Sequence, residues 1–246
     1  MNLANAHKYR HLLKRWRAVS LEAGLKMIPV SRFDGYKIYE IISPACSGNR
    51  GIYLSAGIHG DEVGAVQGLL CWAEKNVRNL ATLPLRLFPC LNPWGMEENS
   101  RFCQTGGDLN RLWGGGKSAL TAAIQNRIQN MKFHLILNLH EDYDADGAYL
   151  YELTRGPRSK ARGEKILQGL EGLIPRDSRE SIEKRKVRNG IIRPRPRNFL
   201  ADELPEALYL FQNHTDHSYT VETPSELDLE VRVNAQVCMI EAALTS

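Results

Sequence analysis

Residues 51–62 read GIYLSAGIHGDE, and residues 133–142 read FHLILNLHED. Each stretch is an apolar run that ends on a histidine and passes directly into carboxylates. The near-continuous apolarity of 133–139 is what a strand buried on both faces of a parallel sheet requires. After the first run, Val63, Val66, Leu69, Leu70 and Ala73 fall at helical spacing, so 61–75 reads as a helix with an acidic first turn. Working outward, strands are expected at 37–42, 85–91, 149–153 and 219–222. Helices are expected at 8–26, 121–131, 164–173 and 226–244, with loop around Pro93, Gly95, Gly106 and Gly107. Strands alternating with helices predict an α/β fold, a doubly wound, mostly parallel (mixed) sheet with helices on both faces. In such sheets chemistry gathers at the carboxyl ends of the strands. The residues found there are His59 to Glu62, Asn92-Pro93, His140-Glu141 and Glu222.

The chain has 246 residues, 43% hydrophobic and 24% charged, which excludes disordered, collagen-like and coiled-coil classes and is expected to form one domain over 1–246. No apolar run approaches the roughly 20 residues of a membrane span. The first twenty residues mix Lys8, Arg10, Lys14, Arg15 and Arg17 with Leu12, Leu13 and Trp16, unlike a secretory leader. The five cysteines are odd in number and contain no CxxC, so free thiols and a cytoplasmic location are expected. The net charge of +4 is uneven. Residues 155–197 hold 14 Lys/Arg against 5 Asp/Glu, which leaves −5 for the remainder. That segment reads as a solvated, basic, loop-rich excursion, and neither nucleic acid nor membrane is an expected partner.

His59 and Glu62 form an H-x-x-E across a strand-to-helix turn, where both side chains can reach one point. The pattern alone is equally that of a helix-capping Glu. His140, closing a second buried strand, adds a third donor. Two His and one Glu leave one tetrahedral position open, as in a catalytic rather than a structural zinc site. Asp108-Leu109-Asn110-Arg111 follows a glycine pair, with Arg101 seven residues before Asp108. An Arg fork beside an Asn amide suits a carboxylate, and an Arg near a metal suits an oxyanion. Glu222 is a charge where the pattern expects a buried strand end, and it is the candidate base for a zinc-activated water.

Taken in order, His59-Gly60-Asp61-Glu62, Asn92-Pro93-x-Gly95, Arg101, Asp108-Leu109-Asn110-Arg111, His140 and Glu222 resemble the zinc carboxypeptidase family. The likeness is to its short bacterial, murein-peptide amidase-like members and to the related aspartoacylase and succinylglutamate desuccinylase group. The resemblance implies Zn2+ on His59, Glu62 and His140, with Asp108 orienting the first histidine. It further implies Arg101 as oxyanion stabiliser, Asn110 and Arg111 as the substrate-carboxylate clamp, and Glu222 as general base. The expected activity is hydrolysis of an amide next to a free-carboxylate residue of a small peptide, murein peptides included. An N-acyl amino-acid deacylase, or a zinc- or peptide-binding protein without turnover, is the alternative. Glu222 lies 24 residues from the end, which favours the peptidase branch over aspartoacylase-like chains with an added β-rich domain. The family's capping Tyr has no motif to place it; Phe199 and Tyr209 are the aromatics in that region. The acidic turn 141–146 and the basic segment 155–197 compete as the charged border of the site.

Overall fold

The computed structural model describes residues 3–46, 50–115, 118–155, 162–194 and 203–245. Among the described residues ten strands form one mixed sheet: β1 (Lys26–Phe33), β2 (Tyr36–Ile42), β3 (Arg50–Ala56), β4 (Leu85–Phe88), β5 (Lys132–Asp142), β6 (Tyr149–Thr154), β7 (Ser181–Ile182), β8 (Arg185–Arg188), β9 (Ile191–Ile192) and β10 (His217–Pro224). Their order is β1-β2-β4-β3-β5-β10-β6-β9-β8-β7. The central strands β4, β3, β5 and β10 are mutually parallel. β1 and β2 flank them as an antiparallel hairpin. On the other side β6 runs antiparallel to β10, and β8 runs antiparallel to both β7 and β9. Parallel pairing is thus concentrated in the middle, where both faces of the sheet are covered.

Side-chain alternation on the central strands distributes two cores. Leu135, Leu137 and Leu139 of β5, with Tyr219 and Val221 of β10, join a cluster that includes Trp16, Leu69, Trp72, Ile166 and Ile240. These last residues come from α1 (Tyr9–Glu22), α2 (Val63–Lys75), α5 (Gly163–Gln168) and α7 (Leu229–Leu244). On the opposite face Tyr53 and Ile136 pack with Trp113, Leu120, Ile124 and Leu210, which brings in α4 (Ala119–Ile128) and α6 (Glu206–Asn213). Each fully buried Leu or Ile contributes about 2 kcal/mol by leaving water. The second face also holds polar positions, because Asn138, His140, Thr220 and Glu222 alternate with the residues of the first core.

Several elements differ from the expectation. The first helix ends at Glu22, and 26–33 is strand β1, half-exposed along its length and interrupted by a bulge between Pro29 and Ser31. The loop after β4 contains the short helix α3 (Pro93–Glu98), whose N-cap Asn92 accepts from the Gly95 N–H at 3.0 Å and whose first residue is proline. The basic segment is structured in its described part. α5 and β7 to β9 lie within it, and β9 pairs with β6. Arg195, Arg197 and Phe199 lie outside the described residues. No helix among the described residues is long and apolar enough to cross a membrane, and the five cysteines are free.

The turn from β3 into α2 packs directly against α3. A Cβ on Gly60 would lie 2.0 Å from the Gly95 carbonyl carbon and 2.3 Å from the Met96 nitrogen, both backbone atoms. Gly60→Ala is therefore expected to lower stability by at least about 1–3 kcal/mol, the scale of overpacking a buried site. Thermal or denaturant unfolding checks this, and an unchanged midpoint would show that the two backbones can separate.

Candidate metal centre

The parallel strands β3 and β5 deliver their ends side by side, and the turn after β3 brings His59 over the end of β5. Glu62 occupies the N-cap position of α2, and His140 is the ninth residue of β5. His59 Nδ1 lies 2.6 Å from Glu62 Oε1, and His140 Nδ1 lies 2.9 Å from Glu62 Oε2. The two imidazole rings meet edge to face at 5.0 Å, and the three donor atoms lie within 4.8 Å of one another. All three residues are at most 4% exposed. Glu62 Oε2 receives no aligned hydrogen bond despite its closeness to His140, so a buried carboxylate lone pair is left without a proton. Neutral imidazole nitrogen with carboxylate oxygen is a donor set suited to a divalent cation of the zinc type, and the residues fit one.

The electrostatics agree. Burial works against a charged His59, but the carboxylates of Glu62 and Asp108 outweigh it and pull its pKa up to about 9. The same contest raises His140, chiefly through Glu62. Glu62 resists its own burial because two imidazoles face it, and it stays well below the usual carboxylate range. Both shifts favour positive charge at this point, which is what a cation-binding position requires.

Behind His59, Asp108 Oδ1 meets Nε2 at 3.2 Å and accepts from the Asn110 N–H at 2.9 Å. Its Oδ2 accepts from Arg101 at 3.1 Å, while the other Arg101 terminal nitrogen stands 3.7 Å from Glu62 Oε1. The neighbour of His140 looks the other way. Glu141 accepts from the Gly64 N–H at 2.7 Å, from Arg232 at 3.0 Å and from the Thr223 hydroxyl at 3.3 Å. Burial pushes its pKa up to about 7 against the pull of Arg232. Gln236 of α7 donates to the His140 carbonyl at 2.7 Å. Glu141 thus ties α2, β10 and α7 to the strand that carries His140.

His59, Glu62, His140, Arg101, Asn110, Arg111 and Glu222 all line one cavity of about 400 Å3, and Asp108 supports it from behind His59. Glu222 pairs in register with His140 across β10 and β5. Burial raises its pKa well above the usual value, with Glu62, Asp142 and Glu183 adding to the rise and His140 opposing it. Asn110 uses Oδ1 to accept from the Glu206 N–H at 3.0 Å, which orients the amide.

Of the acidic turn, only Glu141 and Asp142 reach the cavity, and Asp142 Oδ2 accepts from Tyr149 at 3.0 Å and from Arg179 at 3.3 Å. The basic segment also reaches it, through Arg185 and the acidic Glu183. The two borders are therefore interleaved. Tyr209 packs on Trp113 at 5.6 Å and does not line the cavity.

The residues absent from the sequence reading are Tyr149, Tyr151, Glu183, Arg185 and Glu206. The alternation Tyr149-Leu150-Tyr151 signals two aromatics on one strand face, but nothing local links Glu183 to them. Glu206 forms a buried polar floor on the second face, where Tyr53 donates to its Oε1 at 2.6 Å and Asn138 donates to Ser55 at 2.9 Å. Burial raises the Glu206 pKa, with the Tyr53 hydroxyl opposing.

Residues 49–164 match the family model of the succinylglutamate desuccinylase/aspartoacylase catalytic domain. A candidate metallopeptidase from Shewanella amazonensis SB2B superposes with a TM-score of 0.85 at 20% identity, over 98% of this chain and 93% of that one. A metallo-carboxypeptidase from Burkholderia cenocepacia gives 0.71 at 14% identity, over 97% and 68%. In fold the chain is carboxypeptidase-like. Carboxypeptidase A from Helicoverpa armigera shares that fold with a TM-score of 0.68 at 14% identity, over 96% of this chain and 72% of that one. No curated protein sequence matches. The shared fold and the domain match agree with the resemblance to the carboxypeptidases and to the desuccinylase/aspartoacylase group.

Metal-free protein is expected to take up one divalent transition-metal ion per chain, and His140→Ala to lose it, as read by equilibrium dialysis with metal analysis. Uptake must displace the His59 proton, so it should release a proton near pH 6 and strengthen as pH rises toward 9, where that release fades. In the metal-free protein, the stability contributed by the raised His59 pKa is complete below the ordinary value of 6.5 and is lost as pH climbs through about 9. Equal uptake by wild type and His140→Ala would remove the centre.

Proposed function

We propose that this protein is a zinc-dependent hydrolase that cleaves an amide bond next to a residue bearing a free carboxylate, in small peptides that include murein peptides. What carries the reading is the meeting, in one cavity, of the His59-Glu62-His140 cluster, a buried carboxylate in register with His140, and an Asn-Arg pair on the wall. When bound to the three donors, zinc supplies Lewis acidity toward a carbonyl oxygen and acidifies water at its open position. Glu222 accepts the proton of the attacking water on its carboxylate and passes it to the leaving amine nitrogen. Its buried, acid-lined setting favours holding that proton between the two transfers. Arg101 offers a guanidinium to the oxygen on which charge develops, with Asp108 fixing its direction. Arg111 and the Nδ2 side of Asn110 bind the carboxylate of the residue to be released, the fork giving that recognition its geometry.

The match over residues 49–164 supports a second reading, an N-acyl amino-acid deacylase. It uses the same base, metal and clamp, and differs in whether the acyl side is a peptide or a short acid. Turnover of a panel of free-acid peptides, a murein tripeptide and N-acyl amino acids separates the two.

Glu222→Gln should retain the metal and lose at least about 10²-fold in kcat, the lower range for removing a general base. Near-normal turnover in that variant would assign the proton transfer elsewhere. Arg111→Ala should raise KM for free-acid substrates and leave slow cleavage of their C-terminal amides unchanged. Equal cleavage of acid and amide by wild type would remove the clamp.

A further inference from the structure

The cavity continues past the proposed chemistry along the β10–β6 strand pair. Glu222 stands opposite Tyr149, and the next pair on the same face is Thr220 opposite Tyr151. Two residues of strand advance about 6.5–7 Å. Tyr151 therefore lies one side-chain length from the base, with Leu153 and Leu208 also on the lining. At that end the wall comes from a different element, the β7–β8 hairpin. Tyr151 donates its hydroxyl proton to Glu183 Oε2 at 3.0 Å, and the Arg185 guanidinium lies 5.9 Å over the Tyr151 ring.

The hairpin turns on Glu183 and Lys184, with φ of +48° and +61°. Tight hairpins of this kind want Asn or Gly at both positions, and side chains there cost about 1–2 kcal/mol each. A strained Glu whose carboxylate points at a cavity residue is a reason to look for a role.

Charge gives that role a sign. The metal end carries the cluster, Arg101 and Arg111, and suits an anion. Toward the hairpin the balance reverses. Glu183 and Glu203 face the same space, against Arg185. Among the described residues the lining is thus cationic where a carboxylate would be clamped, and toward the hairpin it carries two carboxylates against one guanidinium.

We propose, building on the hydrolase reading above, that the β7–β8 hairpin is the specificity element and that Glu183 selects a released residue whose side chain ends in a positive charge. The methylene stem lies along Tyr151 and Leu153, and the ammonium or guanidinium reaches the Glu183 carboxylate. The proposal concerns the residue released and is independent of what lies on its acyl side.

The test uses zinc-loaded wild type, Glu183→Gln and Arg185→Gln. Glu183 is exposed on a turn and Gln keeps its shape, so folding is not at stake. Two readouts are paired: kcat/KM for matched substrates releasing lysine, leucine or glutamate, and equilibrium binding of those three amino acids without turnover. Wild type should favour lysine in both. Glu183→Gln should reduce the lysine-to-leucine ratio by about twofold to fivefold, the size of one solvent-exposed ion pair. An unchanged ratio overturns the proposal and leaves the hydrolase reading standing. A glutamate preference that Arg185→Gln removes also overturns it, giving the pocket to the guanidinium. If nothing is hydrolysed but lysine binds in a Glu183-dependent manner, the pocket assignment stands and the hydrolase reading fails.

Discussion

A carboxylate with almost none of its surface in water sits between two imidazoles, and most of this molecule is arranged so that it can. Removing such a group from solvent costs several kcal/mol unless opposite charge meets it. Glu62 is met by His59 and His140, with the Arg101 guanidinium a little farther off. His59 must then sit in the turn after β3, His140 on the adjacent parallel strand, and α2 must begin where Glu62 can face both. That forces the turn against α3 closely enough that only a glycine fits at position 60. Asp108 completes the arrangement, because one carboxylate fixes both the imidazole and the guanidinium that approach Glu62.

A second layer of buried polar groups keeps the first in place. Glu141, one residue from His140 but on the opposite face of β5, joins the start of α2 to α7 and β10. The Cβ that any other residue would place at Gly64 lies 2.2 Å from its Oε1. On the near face, Tyr53, Ser55, Asn138 and Glu206 form a hydrogen-bonded floor that reaches Asn110 through the Glu206 backbone. The two shells sit on the two faces of the sheet, so loosening either helix layer would shift the histidines.

The central strands were legible because burial on both faces demands an apolar run, and 51–58 and 133–139 supply it. The clustered donors His59, Glu62 and His140 were legible because they interrupt those runs at their ends. β1 was not, since an exposed outer strand such as KMIPVSRF needs no hydrophobic period. α3 is only six residues long, and its cap and proline look the same as a loop until Gly95 and Gly60 are seen in contact. α6 and the β7–β8 hairpin escaped for a different reason. Glu206 and Glu183 meet Tyr53 and Tyr151 across 153 and 32 residues of chain, and a single sequence carries no mark of such pairings. Charge counting over 155–197 pointed to a basic border, whereas Glu183 is the acid among those bases that bonds a cavity tyrosine.

The two outer strands of the sheet end it in different ways. Along β1, Lys26, Pro29 and Arg32 are exposed, and the bulge after Pro29 breaks the regular row of amides. β7 at the other margin has two residues. A long, flat, unpaired strand is a template on which another polypeptide can add itself, and ten strands with two open margins would run that risk at both ends. Proline, like-charged side chains and sheer brevity leave an incoming strand few regular hydrogen-bonding partners at either margin.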